Sequence, residues 1–271
     1  MKSKIKKFVY LLIINISILN FNNILPMIDK QENYEIENFI ENIYEQSLEE
    51  VEGFAESLSK KFDYEEKREI VGELIKILNP KKAGEILEKI DKFKVEDLKV
   101  LWLCHLNISS KQLALLISLI EDSKNLRELS LQNNKLRELP PTIGNLKNLR
   151  ELYLDSNELR KLPPTIGNLK NLRELHLDDN KLRELPSTIG NLGNLQSLYL
   201  SYNKLIEIPA SIGKLGNLRK LSFRNNDLTK IPESILELTG LIKIWIKNNP
   251  WNKKSREIIE TLQERRRIRV F

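Results

Sequence analysis

The chain is short of the residues that usually carry chemistry. It has one cysteine, Cys104, in 271 residues, so no intramolecular disulfide can form. Cys104 stands in the apolar run VLWLC and reads as a small core residue. There are two histidines, His105 and His176, far apart and without a ligand cluster around either, so no metal site is expected. No Gly-rich phosphate loop occurs, and no nucleophile constellation. Acidic pairs are present, but they recur at a fixed interval, as a surface pattern would. These absences argue against an enzyme and against a bound cofactor.

What is present is unevenly spread. Hydrophobic residues make up 41% of the chain, enough for a continuous core, and the net charge is +6. Residues 1–28 carry +4, residues 29–97 carry −9, and residues 98–271 carry +11. An acidic N-terminal segment therefore precedes a basic body. Such asymmetry fits charged partners or internal complementarity.

The N-terminus opens MKSKIKK and continues FVYLLIINISILNF. A positive stretch before a short apolar run is the pattern of an export signal. No small-residue cleavage motif follows, and no cysteine is there to anchor a lipid. Read over residues 8–25 the run has the minimal length of a membrane span, weakened by Asn15, Asn20, Asn22 and Asn23. Export is the first expectation, an uncleaved membrane anchor the second, a buried helix the third. Residues 29–97 place Ile36, Phe39, Ile40, Ile43, Tyr44 and Leu48 on one helical face, then Ile70, Val71, Leu74, Ile75 and Leu78, then Ile86, Leu87, Ile90 and Phe93. Three or four helices capping a longer body are expected.

From residue 126 a 23-residue unit repeats, with anchors Leu126, Leu149, Leu172, Leu195, Leu218 and Leu241. The first two units read LRELSLQNNKLRELPPTIGNLKN and LRELYLDSNELRKLPPTIGNLKN. The leucines should stack coil on coil, and each x-L-x-L-x stretch should be one strand of a parallel sheet. Asn134, Asn157, Asn180, Asn203, Asn226 and Asn249 form a column inside the apolar stack. A buried amide must be satisfied, so the column is expected to bond the bends of its own and adjoining coils. Pro140, Pro163, Pro186, Pro209 and Pro232 suit the turn-rich convex side. Ile143, Ile166, Ile189, Ile212 and Ile235 close the core there. Gly144, Gly167, Gly190 and Gly213 are expected to permit a turn that a Cβ would strain.

The flanks depart from this unit. Leu98, Leu101 and Leu103 take anchor positions in a longer, 28-residue first coil. Leu106 replaces its asparagine, so its bend must differ. Gln112–Ile120 reads as a helix with Ser109 or Ser110 as cap. Residues 98–252 thus form the repeats. At the far end Ser255 should cap a helix whose Ile258, Ile259 and Leu262 face the last coil. Residues 253–271 form a basic helical cap, and Arg265, Arg266, Arg267 and Arg269 read as its solvated end.

The pattern L-x-x-L-x-L-x-x-N-x-L resembles that of the leucine-rich repeat superfamily. With L-P-x-x-I-G-N-L it resembles the Ras-suppressor and plant intracellular Ras-group-related class, which also occurs widely in bacteria. The resemblance covers about residues 98–252 and implies an α/β solenoid, curved, with a parallel sheet on its concave face. It implies a scaffold, recognition module or regulator. Some bacterial members carry a ubiquitin-ligase domain after the repeats. With Cys104 ahead of the repeats and little chain after Trp251, that activity is not expected.

The outward strand positions give three columns. The central one is Ser130, Tyr153, His176, Tyr199, Ser222 and Trp245, with Tyr202 beside it. Glu128, Glu151, Glu174, Ser197, Lys220 and Lys243 flank it on one side. Gln132, Asp155, Asp178, Ser201, Arg224 and Lys247 flank it on the other. Aromatics anchor interfaces because they bury large areas at low entropic cost. The expectation is a protein-binding face on Tyr153, Asp155, His176, Asp178, Tyr199, Tyr202, Arg224, Trp245 and Lys247, in an exported monomer. Two alternatives remain open: a structural protein of the envelope held by residues 8–25, and nucleic-acid binding through the basic C-terminal half, against which the acidic middle of the face argues.

Overall fold

The computed structural model describes residues 99–120, 123–265 and 268–271. The expected export signal or anchor, the acidic helical segment and Leu98 lie outside the described residues. The chain divides into two compact units, one taking Lys111–Ser123 with the residues before Lys99, the other Lys99–Ser110 with Lys124–Phe271. Most of helix α1, Ser110–Ile120, falls in the first unit. Its Leu113, Ala114, Leu116, Ile117 and Ile120 are buried. The helix starts before the expected Gln112, and Ser110 is already helical. The Ser110 hydroxyl donates to the Glu138 carbonyl at 2.7 Å and accepts from the Glu138 amide at 3.2 Å.

The second unit is built on one parallel sheet of eight strands in chain order. These are β1 Val100–Trp102, β2 Glu128–Ser130, β3 Glu151–Tyr153, β4 Glu174–His176, β5 Ser197–Tyr199, β6 Lys220–Ser222, β7 Lys243–Trp245 and β8 Arg269–Val270. Leu129, Leu152, Leu175, Leu198, Leu221 and Ile244 stand beside one another in register. All six are fully buried, as are the anchors from Leu149 to Leu241. Strand alternation then turns the residues on either side of each central leucine outward. This is the expected solenoid with a parallel sheet on one face.

Five 3-10 turns line the opposite side: Pro141–Asn145, Pro164–Asn168, Ser187–Asn191, Ala210–Lys214 and Glu233–Glu237. A proline precedes each in extended conformation, for instance Pro163 at φ −67 and ψ 146. That ring needs no backbone donor, and its fixed φ starts the turn. The isoleucine of each turn is buried.

The glycine column acts differently from the expectation. No described glycine has a positive φ, so no turn here needs glycine's conformational freedom. The constraint is the next coil. A Cβ on Gly144 would stand 2.6 Å from the Thr165 carbonyl oxygen, and one on Gly167 2.5 Å from that of Thr188. In the last 3-10 turn, which α2 and not another such turn follows, Leu236 fills the glycine position.

The asparagine column bonds the coils together. Asn180 donates through Nδ2 to the carbonyls of Leu154 at 2.9 Å and Leu177 at 3.2 Å, and its Oδ1 accepts from the Leu159 amide at 3.0 Å. Asn157, Asn203, Asn226 and Asn249 repeat this on their own coils. Asn134 faces the divergent first coil and accepts from both Leu106 and Ile108. There the bend carries two left-handed residues, His105 and Asn107. Elsewhere one left-handed residue precedes each column asparagine: Asn133, Ser156, Asp179, Tyr202, Asn225 and Asn248.

The last coil is closed by helix α2, Lys253–Glu264. Its cap is Asn252, whose side chain accepts from the Ser255 amide at 2.9 Å. Ser255 is not the cap that its sequence position suggested. It is buried, and its hydroxyl accepts from the Ile231 amide at 2.9 Å. Ile258 and Leu262 are buried, while Ile259 is only partly so. Phe223 meets Trp251 edge to face at 5.9 Å. Of the arginine run, Arg265 directly follows α2 as its C-cap and donates to the Leu236 carbonyl at 2.8 Å, Arg269 lies on β8, and Arg266 and Arg267 lie outside the described residues.

Candidate protein-binding face

The register brings the outward columns together across the sheet. Tyr153, His176 and Tyr199 sit on adjacent strands. Their ring centroids are 4.6 Å and 4.5 Å apart. Ser222 comes next, and Trp245 beyond it. Because Ser222 is small, Tyr199 and Trp245 approach across it to 6.4 Å, and the serine is buried. The row then gains a member that the repeat did not foretell. Phe271 follows β8 and stacks on Trp245 at 5.4 Å with an interplanar angle of 17°. Five rings thus form one continuous path.

Trp102 belongs to the same column, opposite Ser130, and is 52% exposed. Its Nε1 donates to Glu128 at 2.6 Å. The signal for Trp102 was in the sequence: it stands between the anchors Leu101 and Leu103, an outward position. For Phe271 there was none, since its strand lies beyond the last repeat.

The first flanking column reads Glu128, Glu151, Glu174, Ser197, Lys220, Lys243 and Arg269 from β2 to β8. Three acids, a neutral residue and three bases follow in strict order. The acids grip the aromatic row. Tyr153 donates its hydroxyl to Glu151 at 2.7 Å, and His176 Nε2 lies 3.2 Å from Glu174. Burial, then the Glu151 bond and the surrounding carboxylates, push the Tyr153 hydroxyl well above the usual tyrosine range.

The other flank is more committed to the fold. Asp155 accepts from the Asp178 amide at 2.9 Å and from Gln132 Nε2 at 2.7 Å. Asp178 accepts from the Ser201 amide at 2.6 Å. Burial, opposed by that amide and reinforced by the Asp155 charge, raises the Asp178 carboxyl from 3.8 to about 6. Ser201 bonds Ser222 across β5 and β6 at 2.5 Å. Arg224 and Lys247 are exposed. Tyr202 stands outside the ring row on its bend. It accepts from Arg224 Nη2 at 3.1 Å, with the guanidinium 5.4 Å from its ring centroid. Among the described residues no group of three His, Cys, Asp or Glu is placed to hold a metal ion.

Comparison with known proteins agrees with this architecture. An LRR protein of Leptospira interrogans is 35% identical, with a TM-score of 0.55. The match covers 65% of this chain and 50% of that one, so this chain spans half the length of that relative. The plant peptide hormone receptor RGFR1, solved in complex with RGF2, is 30% identical over 58% of this chain and 29% of that chain, with a TM-score of 0.47. A search of curated proteins finds no match. The family described as "Leucine-rich repeat region" matches residues 79–198 and 165–271. With its anchor leucines, asparagine column and parallel sheet, the chain belongs to the leucine-rich repeat family.

Proposed function

We propose that this chain is a non-enzymatic protein-interaction module, that it binds a protein partner on the outward face of its sheet, and that it acts after export. Leucine-rich repeats generally serve as protein-interaction modules, which supports the coarse reading. One observation carries the finer one. A row of partly exposed rings runs from Tyr153 to Phe271, each against the next. A soluble surface gains nothing by exposing such a row, whereas an interface uses rigid aromatics as anchors. The basic strands taken alone would suit nucleic acid, but the same face is acidic over β2 to β4, and phosphate would be repelled there. The export reading rests on residues 1–28 of the sequence.

Affinity capture with the full chain beside a folded Tyr199→Ala/Trp245→Ala variant tests the face. Proteins retained by the parent alone support it. Identical retention by both chains would remove the aromatic row from the reading. Export is tested separately by sequencing the N-terminus of the protein recovered from outside its producing cell. A new N-terminus near residue 28 supports a cleaved signal. An intact chain held in the membrane supports the anchored, structural alternative.

A further inference from the structure

The charge on the face is antisymmetric about β5. Ser197 and Ser201 of the β5 coil are neutral and flank Tyr199. On one side lie Glu128, Glu151 and Glu174, with Asp155 and Asp178 across the ring row. On the other lie Lys220, Lys243 and Arg269, with Arg224 and Lys247 across it. The register puts Glu128, Glu151 and Glu174 side by side on adjacent strands, and likewise Lys220, Lys243 and Arg269. Like charges directly opposite on adjacent strands are unfavourable for the sheet itself. Among the described residues, His176 lies within 4.0 Å of both Asp155 and Glu174, whereas Lys220, Lys243, Lys247 and Arg269 form no ion pair. The bases therefore contribute repulsion to the isolated fold and are free to meet a partner.

The shape of the apolar feature limits what that partner can be. The ring row is one residue wide. Each flanking column stands two residues along the strand, so about 6.6 Å to either side at the usual strand rise. The charged rims are thus about 13 Å apart, which suits a single polypeptide strand. Along the other axis, six strand spacings from β2 to β8 give about 29 Å, the length of roughly nine extended residues. A globular partner would need a broad apolar centre, and this face offers a narrow one between two charged margins.

We infer that the face takes an extended polypeptide segment of about nine residues whose charge is polarised: basic over β2–β4, apolar over Tyr199 and Trp245, and acidic over β6–β8. This rests on the outward face being the binding surface. The acidic margin at Glu128, Glu151 and Glu174 receives Lys or Arg. Lys220, Lys243, Arg224 and Lys247 receive Asp or Glu. Apolar side chains of the segment lie on the rings between them. The order of charges sets which way the segment lies.

The test is selection of displayed random nonapeptides on the full chain, in parallel on Lys220→Glu/Lys243→Glu and on Tyr199→Ala/Trp245→Ala. The parent should enrich peptides with Lys or Arg at one end and Asp or Glu at the other. The charge-reversed chain should bind those peptides about tenfold or more weakly and should enrich peptides basic at both ends. A structural role for the lysines would not rewrite the selected sequences. Peptides that need the rings but show no segregation of charge overturn the polarity and leave the face as the site. Peptides indifferent to the ring variant overturn the face itself. If no peptide is enriched while a folded protein is retained through the rings, the extended segment is overturned and the face stands. Sedimentation at low salt closes the set: a dimer lost on charge reversal would make a second copy the occupant and overturn the segment.

Discussion

A buried asparagine of this solenoid answers four backbone groups at once. Asn180 meets three carbonyls and one amide drawn from two coils. Alanine there would leave the Leu159 amide unpartnered in the core, at a cost of about 1–3 kcal/mol before water or local movement relieves it, while the Leu154 and Leu177 carbonyls keep the Nδ2 donors of Asn157 and Asn203. Asn180→Ala is expected to lower unfolding stability by about 1–3 kcal/mol, read from urea denaturation, with the m-value checked for loss of two-state behaviour. Gly167 is held by packing in a way that its type alone did not reveal. Its added Cβ would meet backbone, not a pliable side chain. Gly167→Ala should therefore cost about 1–3 kcal/mol in the same melt, whereas Leu236, at the matching place in the last turn, should accept alanine without any clash. Asp178 makes stability depend on pH. Its folded carboxyl holds a proton more tightly than the ordinary 3.8, up to about 6. The native state is thus favoured below the ordinary value and loses that advantage as pH rises through about 6. Asp178→Asn keeps an oxygen for the Ser201 amide and should abolish this fall. Thermal melts of both chains across that window check it, and parallel curves would refute the assignment.

At the scale of elements, each coil leans on its neighbours alone, so the ends decide where the solenoid opens. Helix α2 closes one end with Leu262, fully buried, and with the edge-on contact of Trp251 on Phe223. Leu262→Ala should cost about 2–5 kcal/mol at that site. Its effect should be graded along the chain. Amides of β6 and β7 should lose hydrogen-exchange protection first, and those of β3 and β4 last. Equal loss everywhere would mean that the coils melt as one body. The same dependence on neighbours explains what was legible beforehand. The leucine, isoleucine and asparagine columns recur in period with one residue type each, so their burial and their bonds could be read from spacing. The left-handed column could not, because Asn133, Ser156, Asp179, Tyr202, Asn225 and Asn248 share a backbone conformation and little chemistry. Strand β8 was hidden because a helix intervenes and no leucine anchor marks it. Phe271, the end of the aromatic row, was hidden with it. The second flank was read as binding surface, yet Asp155 and Asp178 turn carboxylate oxygens to the amides of the next coil. A side chain's rotamer decides that, and spacing does not show it.

Across the whole sheet, stability and binding make opposite demands on the same charges. Lys220, Lys243 and Arg269 lie side by side on β6, β7 and β8. A sheet selected only to fold would alternate signs there, since opposed charges on adjacent strands favour pairing by about 0.2–1 kcal/mol and like charges oppose it. Salt screens such exposed charges. Raising ionic strength should therefore stabilise the folded chain against urea while weakening its hold on a charged partner. Lys243→Glu separates the two demands at one position. It puts a carboxylate between Lys220 and Arg269, replacing two repulsions by two attractions. The variant should be more stable than the parent by about 0.5–2 kcal/mol at low salt, with most of the gain gone at high salt. It should also bind any partner of the concave face more weakly, although it is better folded. Paired urea melts and binding isotherms at two salt concentrations make the comparison. A variant that gains stability and keeps full affinity would show that the basic margin has no part in binding. A variant that loses both would show that Lys243 is held by the fold, and the charge order would then need a structural explanation.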